Sequence, residues 1–121
     1  MKIAELEGTL LDYWVAKAKG GMTLWPGDEV VHTRCGLSIK AAANGELYCL
    51  NFRPSTDWSH GGPIIEREGI GTAPDSQGPW KAYKEATEGP RVYIGRTPLE
   101  AAMRRFVASK YGENVPCPDK E

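Results

Sequence analysis

TPLEAAMRRFVASKYG, residues 97–112, carries its own start and stop signals. Thr97 suits an N-cap, Pro98 suits the first helical position, Glu100 completes a capping box with Thr97, and Gly112 closes the C-terminus. A helix over 98–111 follows. Leu99, Ala102, Met103, Phe106 and Val107 recur at helical spacing and form one apolar stripe, while Glu100 and Arg104 stand at i,i+4 on the other side. Arg104, Arg105 and Lys110 read as the solvated face of this helix rather than as a phosphate-binding patch.

A second helix is signalled upstream by GTLLDYWVAKAKGG. Thr9 is placed to cap it, Leu10, Leu11, Trp14, Val15 and Ala18 make its stripe, and Lys17 and Lys19 fall at the negative end of its dipole. The spacing predicts a helix over 9–19. Between the two helices the chain turns to strand character. VVHT, LSIKAAA and ELYCLNF are strand-like, and Asn44-Gly45 joins the last two with a two-residue hairpin signal. His32, between Val31 and Thr33, fits a strand position better than a metal site. WKAYKEAT and RVYIG read as a further antiparallel pair bracketing EGPR, whereas GIGTAPDSQGP has the composition of an exposed loop and GENVPCPDKE that of a polar tail.

These elements predict an α+β domain over 1–112, with residues 113–121 as a C-terminal tail. In it two amphipathic helices pack on one face of a small, mainly antiparallel sheet, and the 53–68 stretch folds over an edge or end of that sheet.

Composition narrows the function. Fifteen basic and 16 acidic residues give a net charge of −1, so no global field gathers phosphates, and nucleic acid is not a favoured partner. No segment is long enough and apolar enough for a membrane span. Cys35, Cys49 and Cys117 include no CxxC pair and no histidine at ligand spacing, which argues against structural zinc. An odd cysteine count and a charged start, MKIAELEGTLLD, lead to the expectation of a reduced, cytoplasmic protein. No motif calls for a cofactor.

RPSTDWSHGGPIIERE, residues 53–68, is the stretch richest in chemistry. Ser55, Asp57 and His60 invite a nucleophile and base reading, because a hydroxyl attacks when an imidazole removes its proton and an acid orients that imidazole. The set is crowded into one segment, and there is no GxSxG elbow. Turn chemistry accounts for more of the string: Pro54 restricts the chain, Ser55 or Thr56 caps a single helical turn, Asp57 bonds backbone N–H groups, and Gly61-Gly62 ends the turn before Pro63. Trp58 then reads either as an anchor into the core or as an exposed contact. Gly61-Gly62 offers a close-approach point or a small anion nest, rimmed by Glu66, Arg67 and Glu68.

LDYWVAKAKG, RPSTDWSHGGPIIEREGI and TPLEAAMRRFVASKYG together resemble the NinX-like family of small tailed-phage and prophage proteins. PSTDW followed by GGPIIE is the most specific part. The matching positions are Pro54 to Trp58 and Gly61 to Glu66. The resemblance implies a phage or prophage origin and action inside a bacterial host cell, with no biochemical activity attached. Ser59-His60 stands where the family pattern often has Ala-Gln, which argues against His60 as a required base. Gly95-Arg96 replaces Gly-Pro ahead of Thr97 and leaves the cap in place.

The expectation is therefore a non-enzymatic accessory protein that binds a host or phage protein in the host cytoplasm. Its expected surface comprises Arg53, Ser55, Thr56, Asp57, Trp58, His60, Gly61, Gly62, Glu66 and Arg67. The alternative is a small-molecule or nucleotide-binding domain with hydrolytic capacity, using Asp57, His60, Glu66 and Arg67 around a cleft.

Overall fold

The computed structural model describes residues 1–21, 23, 25–34, 36–76, 78–84 and 92–116. A short 3-10 turn, Ile3–Glu5, leads into α1 (Gly8–Lys19), followed by β1 (Glu29–Thr33), β2 (Gly36–Lys40) and β3 (Leu47–Cys49). After α2 (Trp58–Glu68) come β4 (Ile70–Pro74), β5 (Trp80–Lys84), β6 (Val92–Gly95) and α3 (Pro98–Tyr111). The class is α+β and every named strand pair is antiparallel, as the sequence indicates. The strands divide into two three-stranded sheets, β1-β2-β3 and β4-β5-β6.

α3 is the centre. Leu99, Ala101, Ala102, Met103, Phe106, Val107 and Ala108 are all buried along it, and Glu100 and Arg105 with them, so neighbours enclose it nearly all round. One side meets β4, β5 and β6, another meets α1, and α2 packs alongside. α1 in turn lies on β1 and β2. The helices thus do not share a face of one sheet, because each sheet presents its apolar side to its own helix. Gly95 lets β6 approach α3 closely: a Cβ there would lie 2.4 Å from Ala101 N.

Local signals largely hold. α3 has the expected bounds, and Thr97 Oγ1 accepts from Glu100 N–H at 3.1 Å. The reciprocal half of the capping box is displaced by one residue, since Glu100 Oε1 accepts from the Arg96 N–H at 2.9 Å. Neither Glu100 nor Arg104 faces open solvent, their side chains being 8% and 11% exposed. Arg104 donates to the Leu6 and Ile94 carbonyls, and Arg105 is buried at 1% exposure. The solvated basic face is therefore not formed: α3 is too enclosed to have one.

α1 starts at Gly8, with Glu7 as an N-cap that makes no side-chain bond. Thr9, expected as the cap, lies inside the helix, where its Oγ1 shares a 2.9 Å hydrogen bond with Nε2 of His32 on β1. β2 and β3 pair as expected, with Ile39 opposite Tyr48. Their connection is longer than two residues: Ala41 N–H donates to Glu46 O, and Asn44 Oδ1 accepts from Glu46 N–H, so Asn44-Gly45 closes a wider loop.

β5 and β6 pair as the WKAYKEAT and RVYIG reading requires, while residues 85–91 of that reading, like Cys35 and Cys117, lie outside the described residues. GIGTAPDSQGP is not all loop, because Ile70–Pro74 forms β4 against β5. Residues 113–115, read as the start of a tail, run alongside the N-terminus. Ile3 N–H donates to Glu113 O, Val115 N–H to Met1 O, and the Met1 amine to Val115 O at 2.8 Å. Ile3, Leu6 and Val115 are buried there.

Candidate functional site

The 53–68 stretch is mostly helix. It begins as a turn in which Thr56 and Asp57 N–H groups donate to the Arg53 carbonyl. Two side chains fix that turn: Asp12 Oδ1 of α1 accepts from Ser55 N–H at 2.8 Å, and His60 Nδ1 accepts from Arg53 N–H at 2.9 Å. The N-cap is Asp57, whose Oδ1 accepts from Ser59 N–H at 2.9 Å and Ser59 Oγ at 2.6 Å. Those Ser59 bonds hold the Asp57 carboxyl below its ordinary range.

Ser55 and Thr56 therefore do not cap, and Gly61-Gly62 does not end the helix, which runs through Pro63 to Glu68. Proline normally disfavours a helix interior because it removes one backbone bond and crowds the preceding turn. Packing outweighs that cost here. Gly61 is buried where a Cβ would meet the Pro54 carbonyl oxygen at 2.5 Å and Leu99 Cδ2 at 2.6 Å, so glycine alone allows α2 to seat between the turn and α3.

The nucleophile reading fails on geometry. In the neutral ring, an Nδ1 that accepts a hydrogen bond leaves the proton on Nε2, so His60 has no lone pair to spare as a base. Its separation from Asp57 Oδ2 is 3.9 Å, beyond an orienting hydrogen bond. Ser55 is buried at 4% exposure, and its Oγ makes no hydrogen bond, although it lies beside the Asp12 carboxyl.

The outward side of α2 is different. Trp58 is 55% exposed, which overturns its reading as a core anchor; Phe52 and Pro54 fill the core instead. Ser59, Pro63, Glu66 and Arg67 are exposed and Gly62 is half-buried, while Gly61 and Ile64 face inward. Helical spacing aligns Trp58, Gly62 and Glu66 in one row beside Ser59, Pro63 and Arg67. Arg53 and Thr56 are exposed in the preceding turn, whereas Ser55 and Gly61 lie inside. Glu68 turns toward β5, where Lys84 Nζ donates to it at 2.9 Å and Arg67 Nε at 3.1 Å; these bonds lower its carboxyl, chiefly through Lys84.

Asp12 is the member that residue patterns missed. It sits at 3% exposure within the apolar run of α1, and a carboxylate embedded in LLDYW was the available signal, since a buried charge needs partners.

The molecule is thus a small α+β domain built on a central helix, with a capped, inward-locked second helix that presents a tryptophan to solvent. The chain matches the family model for Bacteriophage P22, NinX over residues 2–110 and belongs to that phage family. No curated protein matches the chain. Among the described residues no helix is long and apolar enough to cross a membrane.

Proposed function

We propose that this phage protein is a non-enzymatic interaction module of the host cytoplasm, binding a host or phage protein through the outward face of α2 and the turn before it. The observation that carries the reading is Trp58, 55% exposed at the capped start of a helix whose opposite side is locked to the core. A large aromatic on a rigid element loses little conformational entropy on binding, and tryptophan is enriched among residues that dominate interface energies. Gly62, one turn on, leaves room for close approach, and Glu66 and Arg67 supply a polar rim. The geometry is that of a helix face received by a partner's groove.

A photo-crosslinking amino acid at Glu66, with a control at the exposed Lys40 on β2, tests this in cells of the bacterial host. The reading expects one specific protein captured from Glu66, absent from Lys40 and lost when Trp58→Ala is added. Capture that ignores Trp58→Ala, or that is equal from both positions, overturns it.

A further inference from the structure

A second surface, on the other sheet, has a different chemistry. A cavity of about 370 Å³ opens on the face of β2 and β3 that carries Ile39 and Tyr48. Trp25, in the turn before β1, and Tyr48 line it with rings that are 72% and 51% exposed. Ile39, Ala41 and Ala43 complete its apolar part, and Asp28 and Asn44 its polar part. Among the described residues Asp28 is the single charged one in the lining, and no Lys, Arg or His contributes. Strand alternation places Lys40 on the opposite face.

We propose that this cavity is a binding site for a small organic ammonium ion. Exposed Trp and Tyr rings present the negative face of their quadrupoles to a cation, and alkylated ammonium groups suit such walls because they are weakly hydrated and apolar on the outside. Asp28 supplies the counter-charge in a fixed position. Its Oδ1 accepts from Ala42 N–H at 2.9 Å, and its second oxygen has no partner among the described residues.

Glu46, outside the lining, adds a second carboxylate beside one wall, its Oε2 accepting from the Tyr48 hydroxyl at 2.7 Å. The bond to Glu46, with the charges of Glu46 and Asp28, holds the Tyr48 phenol above its ordinary range, which is the response expected of a hydroxyl in a negative field. Aromatic and apolar residues with Asp28 in the lining and Glu46 on the Tyr48 hydroxyl are together complementary to an alkylammonium rather than to an anion or a neutral planar group.

The test is a two-dimensional NMR titration of the full chain with choline, against 3,3-dimethylbutan-1-ol, which has the same shape without the charge, at matched ionic strength. Choline is expected to shift the Trp25 indole and the 41–48 amides saturably and to bind about tenfold more tightly than the neutral alcohol. Trp25→Ala is expected to abolish the shifts. Asp28→Asn keeps the acceptor for Ala42 and is expected to narrow choline's advantage over the alcohol. Equal binding of the two probes, or choline shifts that survive both substitutions, overturns the proposal.

Discussion

The carboxylate of Asp12 and the backbone N–H of Ser55, 43 residues apart, meet at 2.8 Å in a buried contact that ties α1 to the turn starting α2. Burial pushes the Asp12 carboxyl up; the Ser55 side chain and N–H and the charge of Arg53 pull it down, and burial wins. A carboxyl raised on folding binds more protons in the native state, so its contribution to stability falls as pH rises from the ordinary Asp range through the raised value. Asp12→Asn keeps an oxygen acceptor for Ser55 and removes the charge. Melting curves of both forms from pH 3 to 8 are expected to show the variant gaining on the wild type as pH rises. A constant difference would mean that Asp12 does not titrate in this way.

Two adjacent glycines in α2 should respond unequally to the same substitution. Gly61→Ala drives a methyl against the Pro54 carbonyl and Leu99, and is expected to cost about 1–3 kcal/mol, as overpacking does. Gly62→Ala meets nothing within 4 Å outside its chain neighbours, and the helix propensity it gains is offset by Pro63, whose ring crowds a Cβ on the residue before it, so it should stay within about 0.5 kcal/mol of wild type. Chemical denaturation measures both, and equal responses would contradict the inward and outward assignment of α2.

Arg105 is 1% exposed, and among the described residues neither its Nε nor its Nη2 has a hydrogen-bond partner. Burial lowers the guanidinium from its ordinary value, but a guanidinium keeps its proton, so the charge stays where solvation is poor. Replacing a poorly compensated buried charge with an apolar side chain of similar length is often stabilising, by about 1–4 kcal/mol. Arg105→Met is expected to raise the melting temperature, and a clear fall would reveal a compensating contact.

Asp57 and Trp58 are neighbours with separable duties. Loss of the cap in Asp57→Ala is expected to lower stability by about 1 kcal/mol, and Asp57→Ser to restore most of it. Trp58→Ala, at an exposed position, should stay within about 0.5 kcal/mol of wild type. Calorimetry on the three variants checks both; a strongly destabilised Trp58→Ala would return that residue to the core.

What was legible in the sequence is what local chemistry dictates. Thr97-Pro98 and Gly112 bound α3 because capping acts within a few residues. β4 was hidden because its pattern lacks alternation: Gly71 occupies an outward position, and the Tyr83 ring of the next strand fills the space where its side chain would be. α2 was hidden because Gly-Gly-Pro is a local stop signal, overruled by packing against α3 that no local window contains. Arg105 and Asp12 look like surface charges until tertiary structure encloses them. The aromatic cleft was illegible for a related reason, since strand pairing is what brings Trp25 and Tyr48 to one cavity.

The pairing of residues 1–3 with 113–115 has a consequence for synthesis. The Met1 amine reaches Val115 across 114 positions, so the emerging polypeptide can form α1 and the first sheet while its leading end still lacks its partner. Ile3 and Leu6, fully buried in the finished molecule, lack their cover until α3, whose Arg104 bonds the Leu6 carbonyl, and residues 113–115 have been made. Closure of this strap is therefore a late step in folding, and nascent chains halted before residue 113 should leave their first residues open to proteases and chaperones.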